Sequence, residues 1–222
     1  PTLSGNKKKI GFFTKLNGVQ CDSEIENTLK NALRKFEHTG FEIKEVPTKI
    51  FEGSYEIFII LAGQAALLIE DMLATQKGTP RDFSKEGQLL KNLRHRIQNE
   101  LPPLTTERLL GCWNRVHELR MQIEALVNEY EYIISPVSAT KPVKHGTTLF
   151  KIENSDYYSQ QVYQFANTVN TLGLPAIAFP TELSKDKLPL GLQIIGPRFS
   201  DFKLIKALLD SGFESSLVSP LL

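Results

Sequence analysis

Hydrophobic positions along the 222 residues switch between two periods, and the switches lay out alternating strands and helices. KKIGFFT, Lys8 to Thr14, is a short apolar run that predicts a buried strand. Ile25, Leu29, Ala32, Leu33 and Phe36 then recur at helical spacing behind a predicted capping box of Ser23 and Glu26, and Gly40 ends the helix. FEIKEV, Phe41 to Val46, predicts a second strand, which makes a β-α-β unit with parallel strands and a right-handed crossover. Ser54 to Thr75 predicts a helix whose run IFIILAGQAALLI is buried, and the polar segment 76 to 106 predicts a shorter helix in its middle. Thr105 or Thr106 caps a long amphipathic helix with Leu109, Leu110, Trp113, Val116, Ile123, Leu126, Val127 and Tyr130 near one side. YIISP, Tyr132 to Pro136, reads as a third strand, Tyr157 to Thr171 as a helix, and Ser200 as the cap of a last helix through Phe202, Ile205 and Leu208.

Between those last helices, PAIAFP and PLGLQIIG form two proline- and glycine-bounded apolar runs around a polar insert. Apolar on both faces, they read as a hairpin of central strands. The alternation as a whole predicts an α/β fold, a mixed sheet covered by helices in a single segment spanning residues 1–222.

Composition removes several function classes. A formal net charge of +1, with no single-sign block, gives no electrostatic reason for a nucleic-acid partner. The apolar run of Ile57 to Ile69 reads as too short to span a bilayer, so no membrane partner is expected. Cys21 and Cys112 stand far apart, outside any metal or disulfide spacing, and imply a reduced, cytoplasmic setting. The start PTLSGNKKKIGFF, without an initiator methionine, reads as an excised segment.

Catalytic chemistry is hard to place. There is no G-x-S-x-G elbow, His38, His95, His117 and His145 are isolated, and Glu70 and Asp71 are adjacent on one helix and face different directions. The loop KLNGVQCDS holds one glycine, so a dinucleotide reading of the β-α-β unit lacks its phosphate cradle, and neither cofactor nor metal is expected.

The hairpin carries the decisive pattern. N-T-x-G-L-P-A-I-x-x-P, followed by L-P-L-G-L-Q-I-I-G, resembles the C-terminal part of the amidase signature family, through Asn170, Gly173, Pro175, Pro180, Leu188, Pro189, Gly191, Leu192, Gln193 and Gly196. The resemblance spans essentially the whole chain and is strong from about Tyr132 onward. It implies a hydrolase or amidotransferase fold about twice as long, whose lysine, cis-peptide serine and nucleophilic serine lie in an N-terminal half. No position here takes any of the three, so the chain is expected to be the C-terminal part of an amidase, inactive alone. Its partners would be a small amide substrate in the complete enzyme, and either the missing half or a second copy. A non-catalytic scaffold or partner-binding module derived from that fold is the alternative.

By the same resemblance an aromatic residue, an arginine and an acid hold the substrate in glutamine-using relatives. Tyr55 or Phe58 and Arg94 or Arg96 are candidates for the first two, while Tyr163 or Gln164 stands where the acid is expected. Asn170, Gly173, Pro175, Gly191 and Gln193 are read as structural motif residues, with Gly173 in a turn awkward for other side chains. If the sheet is cut from a larger one, a strand central there becomes an edge here, covered by self-association or by a rearranged segment such as Pro1 to Lys9 or the His145 loop.

Overall fold

The computed structural model describes residues 8–79 and 82–213, so the expected role of Pro1 to Lys9 lies almost wholly outside the described residues. Strand β1 (Lys9–Phe12) leads into a small hairpin, β2 (Lys15–Leu16) and β3 (Val19–Gln20), then helix α1 (Ser23–His38) and strand β4 (Glu42–Glu45). A long helix follows in three pieces: α2 (Ser54–Phe58), a π-helical stretch (Ile59–Ala65) and α3 (Ala66–Gln76). Next come α4 (Gln88–Asn99), α5 (Thr106–Glu129), β5 (Tyr132–Pro136), the hairpin β6 (Phe150–Ile152) and β7 (Ser155–Tyr157), and α6 (Ser159–Val162). The chain closes with α7 (Gln164–Leu172), β8 (Ala176–Leu183), β9 (Pro189–Ile195) and α8 (Asp201–Asp210).

The main sheet has five strands in the order β4-β1-β5-β9-β8. β1 pairs in parallel with β4 (Ile10 opposite Ile43) and with β5 (Phe12 opposite Ile134), so the expected β-α-β unit is present. β9 runs antiparallel to β5 and to β8, which makes the sheet mixed. β5 is buried at all five positions because it lies in the middle of the order. One core gathers around it: Phe13, Leu29, Phe36, Ile123, Phe165, Leu192 and Leu204 all belong to a single buried cluster.

Several expectations give way to geometry. The cap of α1 is Asp22, whose carboxylate accepts from the Glu24 amide at 2.8 Å, while Glu26 turns aside to Lys30 and Gln20. The Ile57–Ile69 run is buried only in its first part, and α3 has no buried residue. A π turn holds an extra residue, and the wider stretch carries the residues after it off the buried face, so Leu68, Ile69, Met72 and Leu73 are exposed. With its flanking turns the helix spans Thr48–Gln76 at a mean hydropathy of 1.9 in its most apolar window, which is long and apolar enough to cross a membrane; 28% of that window is buried inside the protein.

On α5 the core row is Cys112, Val116, Leu119, Ile123 and Val127, spaced by three or four residues; Leu110 and Trp113 fall beside that row and are exposed. The single helix expected over Tyr157 to Thr171 breaks at Tyr163 into α6 and α7. Ser200 occupies the cap position of α8, yet its hydroxyl makes no capping bond. The hairpin forms as expected, but only β9 is central, and β8 is an edge strand with most positions exposed.

Gly173 ends α7 at φ 64° and ψ 38°, and its amide reaches the Asn170 carbonyl at 3.1 Å. A Cβ there would also stand 3.4 Å from Nη2 of Arg120, whose Nε donates to the Leu172 carbonyl at 2.9 Å and holds the helix end. Gly173→Val is therefore expected to cost roughly 1 to 3 kcal/mol, because a β-branched residue is strained at positive φ. A denaturant midpoint equal to that of the parent chain would contradict this.

Candidate functional site

The candidate substrate side chains are set by the start of the long helix, by α4 and by the α6–α7 junction. Gly53, at φ 85°, turns the chain into α2, and Ser54 is fully buried between Asn17 (3.0 Å) and Thr168 (3.0 Å). Asn17 comes from the β2–β3 turn and also donates to Gln164 of α7 at 2.9 Å, so three distant segments fix where α2 begins. Tyr55 follows directly, and its hydroxyl is buried without a hydrogen-bond partner among the described residues. Phe58, one turn on, is partly buried.

The two arginines differ. Arg94 is buried, its guanidinium bonded to Glu86 through Nε (3.3 Å) and Nη2 and lying 4.5 Å from the Phe83 ring centre. Arg96 lies 3.8 Å from the Tyr158 ring centre and reaches Glu100 through Nε at 3.4 Å, while its Nη1 is buried and unpartnered among the described residues. A buried donor without an acceptor is costly to keep. Of the pair, only Arg96 keeps that capacity.

Tyr163 sits at the α6–α7 break, 41% exposed, with its ring edge-on to Phe150 at 5.8 Å. It lines a cleft of about 510 Å³ together with Ile25, Val137, Thr140, Lys141, Ala178, Phe179, Pro180, Leu190 and Gly191. The charged group on the cleft wall, Lys141, is engaged by Glu24 and, at 3.2 Å, by Asp186. The Lys141 bond holds the Glu24 carboxyl below its usual range, and Glu24 raises the lysine.

Of the motif residues, Gln193 is buried and its Nε2 faces Ser135 Oγ at 3.0 Å and the carbonyls of Pro136 and Phe165 at 3.1 Å each. It therefore ties β9 to β5 and α7. Asn170 and Gly191 are exposed, and Pro175 accepts the Gly196 amide at 3.1 Å. Neither cysteine has the lowered thiol pKa of an activated nucleophile. Both are buried, and burial pushes the Cys21 thiol up to about 12.

Sequence reasoning missed Tyr158, which stacks on Arg96, and Asn17, which braces α2. Asn17-Gly18 between Leu16 and Val19 was a usable signal. Both residues have positive φ, 43° and 84°, as a tight hairpin turn requires.

The amidase family model matches residues 3–205. The chain belongs to the amidase family. Among curated relatives, a glutamyl-tRNA(Gln) amidotransferase subunit of Clostridium acetobutylicum is 28% identical over 215 residues, which cover 90% of this chain and 44% of the relative. Its counterpart in Halothermothrix orenii is 24% identical, with 89% and 44% covered. Among solved structures, an amidase superimposes with a TM-score of 0.72 at 18% identity over 96% of this chain and 48% of its own. A bacterial aryl acylamidase of the amidase signature family follows at 0.69 and 20%, over 93% and 44%. These structures show the amidase signature fold. The chain spans a little under half the length of the relatives it matches.

Proposed function

We propose that this chain is the C-terminal, substrate-side part of an amidase that cleaves a carboxylic amide through a serine acyl-enzyme, the serine and lysine groups being supplied by the rest of the family's fold. The observation that carries the reading is the amidase family match over residues 3–205 in a chain that covers 44% of its relative; Tyr55 Oη and Arg96 Nη1, buried without a partner among the described residues, are the binding candidates. Each is a donor that substrate oxygen would satisfy, and Arg96 is held in place by Tyr158 on one side and Glu100 on the other.

In the reaction the serine oxygen bonds to the amide carbon, the C–N bond breaks and the amine leaves with a proton; water then releases the acid from the enzyme. This chain's residues bind and orient; they do not bond to the reacting carbon. With Tyr163 standing where an acid is expected, the recognised amide in this reading is one other than free glutamine. We place the enzyme in the cytoplasm.

Two measurements test this. The purified 222-residue chain is expected to show no hydrolysis of benzamide or propionamide above a buffer blank, and turnover that copurifies with the chain through successive columns would overturn the reading. Carboxylate-bearing amides such as succinamate are expected to shift the ring resonances of Tyr158, which lies on Arg96, in NMR titration, with the shift lost in Arg96→Ala and kept in Leu110→Ala. An unchanged titration in Arg96→Ala would remove Arg96 from the site.

A further inference from the structure

The π-helical stretch does more than turn α3 outward. π turns are rare and concentrate at functional sites, and this one packs on α4, the helix that carries Arg94 and Arg96. Its buried positions are Ile59, Ile60, Gly63 and Gln64. Two of these, adjacent in sequence, hold α4 at separate points.

Gly63 receives Ile97 of α4. A Cβ at position 63 would stand 2.9 Å from Ile97 Cδ1 and 3.7 Å from its Cγ1, the first closer than a side chain tolerates. Glycine weakens a helix interior, and the backbone here is helical, so close approach and not conformation accounts for it.

Gln64 holds the chain just past α4. It is buried, and its Nε2 donates to the Pro102 carbonyl at 2.8 Å. The Arg108 guanidinium, from the first turn of α5, donates to the same carbonyl at 2.6 Å, to that of Pro103 at 2.8 Å and to Gln64 Oε1 at 3.5 Å. Glu100, the residue that ends α4, lies two positions before Pro102 and accepts from Arg96 Nε at 3.4 Å. The last turn of α4 is therefore fixed from the π stretch at Ile97 and at Pro102.

Arg96 immediately precedes Ile97, and its guanidinium lies 3.8 Å from the Tyr158 ring centre. Tyr158 is anchored independently: it caps α6, and its amide donates to Gln161 Oε1 at 2.8 Å. The stack thus joins two separately held parts, and its geometry follows the seating of α4.

We propose that Gly63 is a positioning residue for Arg96. Its bare backbone lets α4 approach closely enough for the guanidinium to lie on Tyr158 with Nη1, buried and unpartnered among the described residues, open to a substrate oxygen. This rests on the reading of Arg96 as a substrate-binding residue. With Pro102 clamped, a side chain at position 63 tilts α4 about that clamp and carries Arg96 off the ring, and a misplacement of about 1 Å is enough to weaken a positioned contact severely.

The test sets three variants of the 222-residue chain beside the parent: Gly63→Val, Gly63→Val with Ile97→Ala, and Gly111→Val, a glycine of α5 where an added Cβ meets nothing within 4 Å. The double variant conserves the side-chain carbons at the contact, so it removes the push without opening a cavity. In Gly63→Val the Tyr158 ring resonances are expected to move to the positions they take in Arg96→Ala, and succinamate to bind about tenfold more weakly or worse. The double variant is expected to restore both, and Gly111→Val to change neither. Gly63→Ala, whose methyl meets the tip of Ile97, carries the same readouts at smaller size if the valine variant does not fold. Ring resonances that stay at their parental positions in both Gly63→Val and Gly63→Ala, or that the double variant leaves displaced, would overturn the proposal. A parent chain that does not respond to succinamate removes Arg96 as a substrate residue; the ring positions, read without ligand, still decide whether Gly63 sets the guanidinium.

Discussion

Phe13→Ala is expected to lower the folding free energy by about 3 to 5 kcal/mol while leaving one unfolding transition. Phe13 is 2% exposed and lies just past β1, with its ring 5.2 Å from Phe51 and 5.9 Å from Phe165, the latter stacked. Those partners belong to the turn before α2 and to α7, so one ring joins the first strand to the approach to the substrate residues and to the helix that leads into β8. Its amide also donates to the Ile134 carbonyl of β5 at 3.3 Å, which holds the backbone in place and keeps the cavity from collapsing after truncation. Because the contacts bridge the start and the end of the chain, loss of the ring weakens both together. Urea denaturation followed by far-ultraviolet circular dichroism and by Trp113 fluorescence checks this. Two separated transitions, or a loss under about 1 kcal/mol, would show that the N-terminal β-α-β unit and the C-terminal hairpin are independent cores.

Local pattern carried the elements well and their placement less well. The helices of Leu29 and Ile123 were readable because each buries one face and burial imprints its period on the sequence, and the strands of Phe12, Tyr132 and Gln193 because each is a short apolar run. What periodicity does not encode is which face of an all-apolar helix meets the core. The run through Ile57 and Ile69 is apolar on every side, and the π turn that decides between burial and exposure has no signature in residue type. Edge and centre are likewise invisible locally, since PAIAFP and LGLQIIG look alike and only the strand order separates them. For the site, residue types and a resemblance were legible, and they left Arg94 and Arg96 equivalent. The difference between them is tertiary: Glu86 satisfies Arg94, and Tyr158, far along the chain, stacks on Arg96 without satisfying it.

Gln193→Leu is the second large effect expected, a loss of about 2 to 4 kcal/mol at nearly constant side-chain volume. Gln193 is 4% exposed at the centre of β9, and its amide nitrogen is within 3.1 Å of three acceptors, Ser135 Oγ and the carbonyls of Pro136 and Phe165. Three acceptors share two N–H groups; leucine would remove both donors from a buried site and leave the Pro136 carbonyl with the Ser135 hydroxyl alone, at 3.2 Å. Pro136 ends β5 and Phe165 lies in the first turn of α7, so the same side chain fixes how far α7 sits from the sheet and with it the position of Tyr163, two residues before Phe165. Two readouts separate stability from positioning: the urea midpoint falls, and in the folded baseline the Tyr163 ring resonances, shielded edge-on by Phe150, move toward solvent-exposed values. Gln193→Glu is a sharper control. It keeps the shape but offers carboxylate oxygens to carbonyl oxygens, so it should fold less stably than the leucine variant at neutral pH and recover part of the loss on acidification, as the protonated carboxyl regains a donor. A leucine variant as stable as the parent chain would show that the carbonyls of Pro136 and Phe165 find other donors and that the Gln193 amide does not hold β5, β9 and α7 together.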